Sequence, residues 1–228
     1  MTTRLQPAPV LANLAWRVSS LIHLALYPPG FFERLYNLAW YRQTLADWLA
    51  WLAPPPGARL LEVGCSSGGF SMDLARRDYV VTGVDRSWRA IRHAKRRRAS
   101  ADVGFVFGDA LQLPLPSSSY DYTLAASLLN VVNEPLALLA EMARVTTGNG
   151  VVSVLFPTST MQRDNANRFI QTRGLRGFSV AALRLWADFA NKLDINAVCD
   201  LFQRAGLGTP HSTTLFDGML GAVYAKRV

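Results

Sequence analysis

The chain has 228 residues, half of them hydrophobic, a formal charge of +8 and only two cysteines. That much apolar material supports one domain with an appendage and excludes a disordered or disulfide-stapled chain. No stretch reaches the ~18 to 20 uninterrupted apolar residues of a membrane span. The nearest, Val10 to Leu26, is broken by Asn13, Arg17, Ser19, Ser20 and His23.

In chain order, residues 1 to 9 are expected to fray, since Pro7 and Pro9 discourage regular structure. The weakly basic start runs into tryptophan-bearing amphipathic sequence, unlike a secretory signal. A helix is expected over Val10 to Leu26, stopped by Tyr27-Pro28-Pro29-Gly30, and a second over roughly Phe32 to Leu52. These residues carry Trp16, Tyr36, Trp40, Tyr41, Trp48 and Trp51. Helically spaced aromatics are mostly packing, with Tyr36 and Tyr41 the candidates for a lid; a membrane-interface role for Trp16, Trp40, Trp48 and Trp51 is the alternative. Pro54-Pro55-Pro56-Gly57 then divides a helical cap, 1–53, from the main domain, 54–228.

Arg59 to Gly64 reads as a strand buried on both faces, running into a turn in which Gly64, Gly68 and Gly69 admit close approach of a ligand. The spacing is not the G-x-G-x-x-G of a dinucleotide site. Glu62, two positions before the first glycine, would oppose a pyrophosphate and suit a cationic amino-acid group instead. Asp85 closes the next strand about 20 residues past the first glycine, where an acid can accept both ribose hydroxyls or cap the helix that follows.

Further strands are expected at 79–84, 103–108, 120–125 and 150–156, with helices at 69–77, 87–98 and 134–145. Such alternation implies right-handed crossovers and a parallel sheet covered on both faces, with the ligand at the carboxyl ends of the strands. The run Arg86 to Arg98 alternates basic residues with Ala90, Ile91 and Ala94. A solvated helix face is the simpler reading, with nucleic acid and an anionic membrane kept open; His93 is expected to be exposed. Residues 158–180 show no core pattern and are read as an insertion or flap beside the pocket, extending to about 190. Helices follow at 180–190 and 195–205, and Thr213 to Phe216 with Leu220 to Ala225 form a hairpin turning at Asp217-Gly218.

Leu61-Glu62-Val63-Gly64-Cys65-Ser66-Ser67-Gly68 resembles the first motif of the class I S-adenosylmethionine-dependent methyltransferases, with Ser66 in place of the usual middle glycine. Gly108-Asp109-Ala110, followed by Leu113-Pro114-Leu115 and Tyr120-Asp121, resembles that family's D-A-x-x-L-P run. The resemblance implies a seven-stranded, mostly parallel α/β sheet with its last strand antiparallel, and S-adenosylmethionine as cofactor. It implies cofactor contacts from Glu62, Gly64, Cys65, Ser66, Gly68, Asp85 and Arg86. Asp109 and Ala110 would contact the adenine, and Ala125 and Ser127 the methionine part. Asn130 stands where a histidine is frequent, and an amide can orient an acceptor but cannot act as a base near neutral pH. Asn130, Tyr36, Tyr41 and His23 are the candidates on the acceptor side; His211 near the hairpin is a weaker one.

The expected function is methyl transfer to a small, partly apolar molecule. RNA methylation and a non-catalytic cofactor-binding partner are the alternatives. No metal-ligand spacing is evident, Cys199 reads as a small buried apolar residue, and two unpaired cysteines suit a reducing cytoplasm.

Overall fold

The computed structural model describes residues 28–98 and 102–228. His23 and the expected helix over Val10 to Leu26 lie outside the described residues. Seven strands form one sheet: β1 (Arg59–Val63), β2 (Val80–Asp85), β3 (Val103–Phe107), β4 (Tyr120–Ala126), β5 (Thr146–Pro157), β6 (His211–Leu215) and β7 (Leu220–Lys226). Their order is β3-β2-β1-β4-β5-β7-β6. The first five are parallel, while β7 runs antiparallel to both β5 and β6. The chain winds outward from β1 to β3, then returns to place β4 on the other side of β1. The switch point therefore lies between β1 and β4, where a crevice opens at the carboxyl ends of the strands.

Among the described residues two helices precede the sheet, α1 (Pro28–Tyr36) and α2 (Ala39–Leu52); α3 (Gly69–Ala75), α4 (Trp88–Arg97) and α5 (Pro135–Val145) follow the early strands. α6 (Arg163–Thr172), α7 (Phe178–Phe189) and α8 (Ile195–Arg204) lie between β5 and β6. Because β1 alternates, Leu60 joins a core with residues of α2, α3, α4, α6 and α7, and Leu61 and Val63 join a second core under α5 and α8. Each face of the sheet is thus covered by its own helical layer, as continuous apolar strands require.

Three expectations change. Pro28-Pro29-Gly30 does not end a helix but opens α1, since the fixed φ of proline suits a first helical turn. The helix expected over 32–52 is two helices, parted where Leu38 takes an extended conformation. Residues 158–180 are not a loop: α6 buries Ala166, Phe169 and Ile170, three and four residues apart on one face, and packs with α7.

The tryptophans of α2 face protein. Trp48 is fully buried, stacks on Phe70 with ring centroids 6.1 Å apart, and donates from Nε1 to Ser153 Oγ on β5 at 3.0 Å. Trp40 stacks on Phe216 at 5.1 Å and Trp51 contacts the Tyr224 ring at 4.9 Å. The membrane-interface reading therefore does not hold for these three. The hairpin turns at Phe216, Asp217 and Gly218, all at positive φ; the ring contacts of Phe216 hold this uncommon conformation for a bulky residue.

Candidate active site

β1 delivers its carboxyl end into a turn whose backbone no ordinary helix or strand could follow. Gly64, Ser66 and Gly68 all have positive φ. The Gly64 and Cys65 amides both donate to the Val84 carbonyl on β2, at 2.8 and 2.9 Å, and tie the turn to the neighbouring strand. A Cβ on Gly68 would lie 2.5 Å from the Phe105 ring, so this glycine is required by packing as well as by φ. Ser66 occupies its left-handed conformation with its amide donating to Asp85 Oδ2 at 2.8 Å. The carboxylate at the end of β2 thus compensates the missing glycine.

Asp85 also accepts from the Ser87 amide at 2.8 Å, while Ser87, not Asp85, caps α4 by accepting from the Ala90 amide. Each Asp85 oxygen has one amide donor and spare lone pairs facing the crevice. Asp109 is exposed and folds back on itself, Oδ1 accepting from the Leu111 amide at 2.9 Å.

Glu62 is 6% exposed, its carboxylate accepting from Ser71 Oγ on α3. Burial is the main reason its pKa is pushed up to about 7; the Ser71 bond opposes that and the Asp85 charge adds to it. A carboxylate held in this state gains most from a cation placed against it. Cys65, buried behind the turn, has its thiol pushed well up by burial and by Glu62.

These groups line one cavity of about 860 Å³, near the top of the usual range for ligand sites. Its floor is polar: Glu62, Gly64, Ser66, Asp85, Asp109 and Ser127. Its far wall is apolar, built from Phe31 on α1, Leu128 after β4, and Leu185 and Trp186 on α7. Tyr36 and Tyr41 line it as well. The Tyr36 ring covers Gly69, and its hydroxyl donates to Asp73, which also accepts from Arg42 at 3.0 Å. Burial, with Asp73 for Tyr36 and Glu62 for Tyr41, drives both phenols far above their ordinary range. Neither can serve as a phenolate base near neutral pH.

Two polar atoms on residues lining this cavity have no partner among the described residues: Ser127 Oγ, on a residue with φ of 52°, and Asn130 Oδ1, on a side chain 6% exposed. Asn191 Nδ2 fixes the loop by donating to the Asn130 carbonyl at 2.9 Å. Buried polar atoms without partners are costly, and both belong to residues that line the cavity.

Of the sequence candidates, Glu62, Gly64, Cys65, Ser66, Asp85, Arg86, Asp109, Ala110, Ser127, Asn130, Tyr36 and Tyr41 come together around the cavity. Gly68 and Ala125 do not line it; Gly68 packs on Phe105 and Ala125 is fully buried in the sheet, with Ala126 at the wall instead. His211 stacks on Tyr224 at 5.0 Å on β6, away from the cavity, and Cys199 is half-buried on α8. His93 is not exposed: Nε2 lies 2.8 Å from Glu33, which also pairs with Arg97, so α1 is clamped to α4. The wall from α7 falls in the stretch to about 190 expected beside the pocket, but none of its residues was singled out from the sequence. Ala182, Leu185, Trp186 and Phe189 recur at helical spacing, a signal visible as a stripe but silent about which neighbour it faces.

Among the described residues no group of three or more His, Cys, Asp or Glu is placed to hold a metal ion. Residues 61–154 match the family described as a methyltransferase domain. The demethylmenaquinone methyltransferase of Renibacterium salmoninarum is 38% identical over 99 residues, 43% of this chain and 41% of its own length. The fatty-acid O-methyltransferase of Mycolicibacterium smegmatis is 35% identical over 117 residues, 50% of this chain and 41% of its own. The chain thus spans about two fifths of the length of these relatives. Among solved structures, a methyltransferase dependent on S-adenosylmethionine from Aquifex aeolicus superposes with a TM-score of 0.67 at 16% identity, covering 88% of this chain and 98% of that one. The magnesium protoporphyrin IX methyltransferase of Synechocystis, solved with S-adenosylhomocysteine, gives 0.65 at 17% identity over 93% and 100%. At such identities the likeness carries the fold, which is that of the class I methyltransferases.

Proposed function

We propose that the class I methyltransferase domain of this chain transfers a methyl group from S-adenosylmethionine to a small, partly apolar acceptor bearing an O–H or N–H group. The observation that carries this reading is one cavity with two chemistries: a buried carboxylate and glycine turn at one end, apolar walls at the other. When bound, the cofactor supplies a methyl already activated by its sulfonium charge.

The residues fit that cofactor. Glu62, held by Ser71, suits the cationic amino-acid end, and the spare lone pairs of Asp85 suit the ribose hydroxyls. Asp109 and Ala110 line the cavity beyond Asp85, where the resemblance assigns the adenine, and Ser127 Oγ offers a polar contact to the methionine part. On the other side, the unpartnered Asn130 Oδ1 would accept a hydrogen bond from the acceptor and set its orientation.

None of the acceptor-side candidates placed at the cavity is a ready base: the Tyr36 and Tyr41 phenols have raised pKa values and Asn130 is an amide. The protein's contribution is therefore alignment and exclusion of water, and such positioning can supply ~7 to 11 kcal/mol of barrier reduction. Buried Cys65 and half-buried Cys199, both unpaired, accord with a cytoplasmic setting for the reaction.

The test is to incubate the full chain with methyl-labelled cofactor and, separately, apolar alcohols, phenols, amines and single-stranded RNA. Label passing to a hydroxyl- or amine-bearing small molecule is expected; label passing to RNA alone would reverse the assignment.

A further inference from the structure

Five of the seven large apolar side chains most exposed among the described residues cluster at one end of the molecule. Phe32, Trp88, Phe107, Val131 and Phe189 are between 39% and 69% exposed. Phe107 is the carboxyl end of β3, Trp88 opens α4 just beyond β2, and Val131 follows β4. Phe32 and Phe189 belong to α1 and α7 and, with Val131, line the cavity itself. All five thus surround the end where the cavity opens. Trp88 and Phe107 touch edge to face at 6.1 Å, so two aromatic rings from different elements are held together in solvent.

Beside them runs a row of cations. Arg89, Arg92, Lys95 and Arg96 are exposed on the face of α4 opposite the buried Ala90, Ile91 and Ala94, and Arg86 lies at the cavity rim. None of these five forms an ion pair or hydrogen bond with a described residue. The exposed carboxylates bordering the row and the cavity rim are Asp102, Asp109 and Glu134, so the five cations outnumber them. A face built only for solubility needs the charges but not the exposed aromatic and aliphatic side chains that interrupt them.

We propose that this end of the molecule docks on an anionic lipid bilayer. Trp88, Phe107, Phe32 and Phe189 would enter the headgroup region, Arg89, Arg92, Lys95 and Arg96 would meet the lipid phosphates, and the cavity mouth would face the membrane. Aromatic side chains favour that interface, and each basic residue near an anionic leaflet strengthens binding by about fivefold. The proposed contact is a peripheral one, and no helix among the described residues is long and apolar enough to cross a membrane. Single-stranded RNA is the rival partner for basic and aromatic groups together. The bilayer is preferred because Val131, Phe32 and Phe189 ring an apolar-walled cavity, and because the T-shaped Trp88–Phe107 pair is not an open stacking platform.

Co-flotation of the full chain with phosphatidylcholine vesicles, with and without phosphatidylglycerol, tests the proposal. Binding is expected only to the anionic vesicles and should weaken with added salt. Arg89→Glu with Arg92→Glu should reduce it by at least about twentyfold, and Trp88→Ser by a smaller factor. Both variants should keep the wild-type melting temperature and affinity for S-adenosylhomocysteine, because none of these residues lines the cavity. Failure of the full chain to float with anionic vesicles, equal binding to neutral ones, or an unaffected double variant would overturn the proposal. Tighter binding to single-stranded RNA than to anionic vesicles at the same salt would overturn it in favour of the rival.

Discussion

Replacing Glu62 by Gln should make the ligand-free protein more stable at pH 8 and, at the same time, a poorer binder. The carboxylate is 6% exposed, and its pKa rises from an ordinary 4.5 to about 7 chiefly through burial. A group whose folded pKa is raised favours the folded state most when protonated in both states, below pH 4.5. As the pH climbs towards 7 the unfolded chain ionises first, and stability is lost up to a ceiling of roughly 3 kcal/mol. Glutamine stays neutral and can still accept from Ser71, so the variant lacks this slope. Urea unfolding at pH 5, 6, 7 and 8 should show the two proteins diverging with pH, the variant ahead. Calorimetry at pH 8 should show its affinity for S-adenosylhomocysteine down at least tenfold, since truncating one member of a buried charge pair costs roughly 2 to 5 kcal/mol. A variant less stable than wild type at pH 8, or one that binds equally well, would refute the reasoning.

Other expectations follow from the same coordinates. Because a bound cation requires Glu62 ionised, wild-type affinity for S-adenosylhomocysteine should fall about tenfold per pH unit below pH 7, with proton release measurable in buffers of different ionisation enthalpy. Gly68→Ala places a methyl 2.5 Å from the Phe105 ring at positive φ and should lower stability by at least about 1 to 3 kcal/mol in urea unfolding. Trp48→Phe removes the donor to Ser153 and should cost about 1 to 3 kcal/mol by the same measurement. Asn130→Leu should spare cofactor affinity while lowering kcat/KM for a protic acceptor at least about tenfold, read from steady-state transfer.

Much of the sheet was legible because its strands are short apolar runs between glycines and helical stretches. The boundaries at Arg59, Val103 and Tyr120 agree with the coordinates, and the hairpin turns where Asp217-Gly218 lies. The acids of the floor were legible for a related reason: Glu62 and Asp85 are fixed by strand ends, whose positions the pattern gives. Their partners were not. Ser71 reaches Glu62 from a helix, and the Ser66 amide after β1 reaches Asp85 at the end of the neighbouring β2, contacts that depend on tertiary packing. The stretch to about 190 was expected beside the pocket, but the individual wall residues were not legible for a like reason, since the α7 stripe at Ala182, Leu185, Trp186 and Phe189 has the spacing of any core helix. Pro28-Pro29 was ambiguous in itself, because proline both ends helices and begins them.

The account rests on Glu62, Ser66 and Asp85 forming one receptor for a cationic nucleoside. Its most direct test is a calorimetric titration of S-adenosylhomocysteine into the folded full chain, alongside Asp85→Ala. Saturable binding at one molecule per chain, lost or severely weakened in the variant, is the predicted result. A folded wild-type chain that takes up no S-adenosylhomocysteine, or a variant that binds it as tightly, would contradict the account.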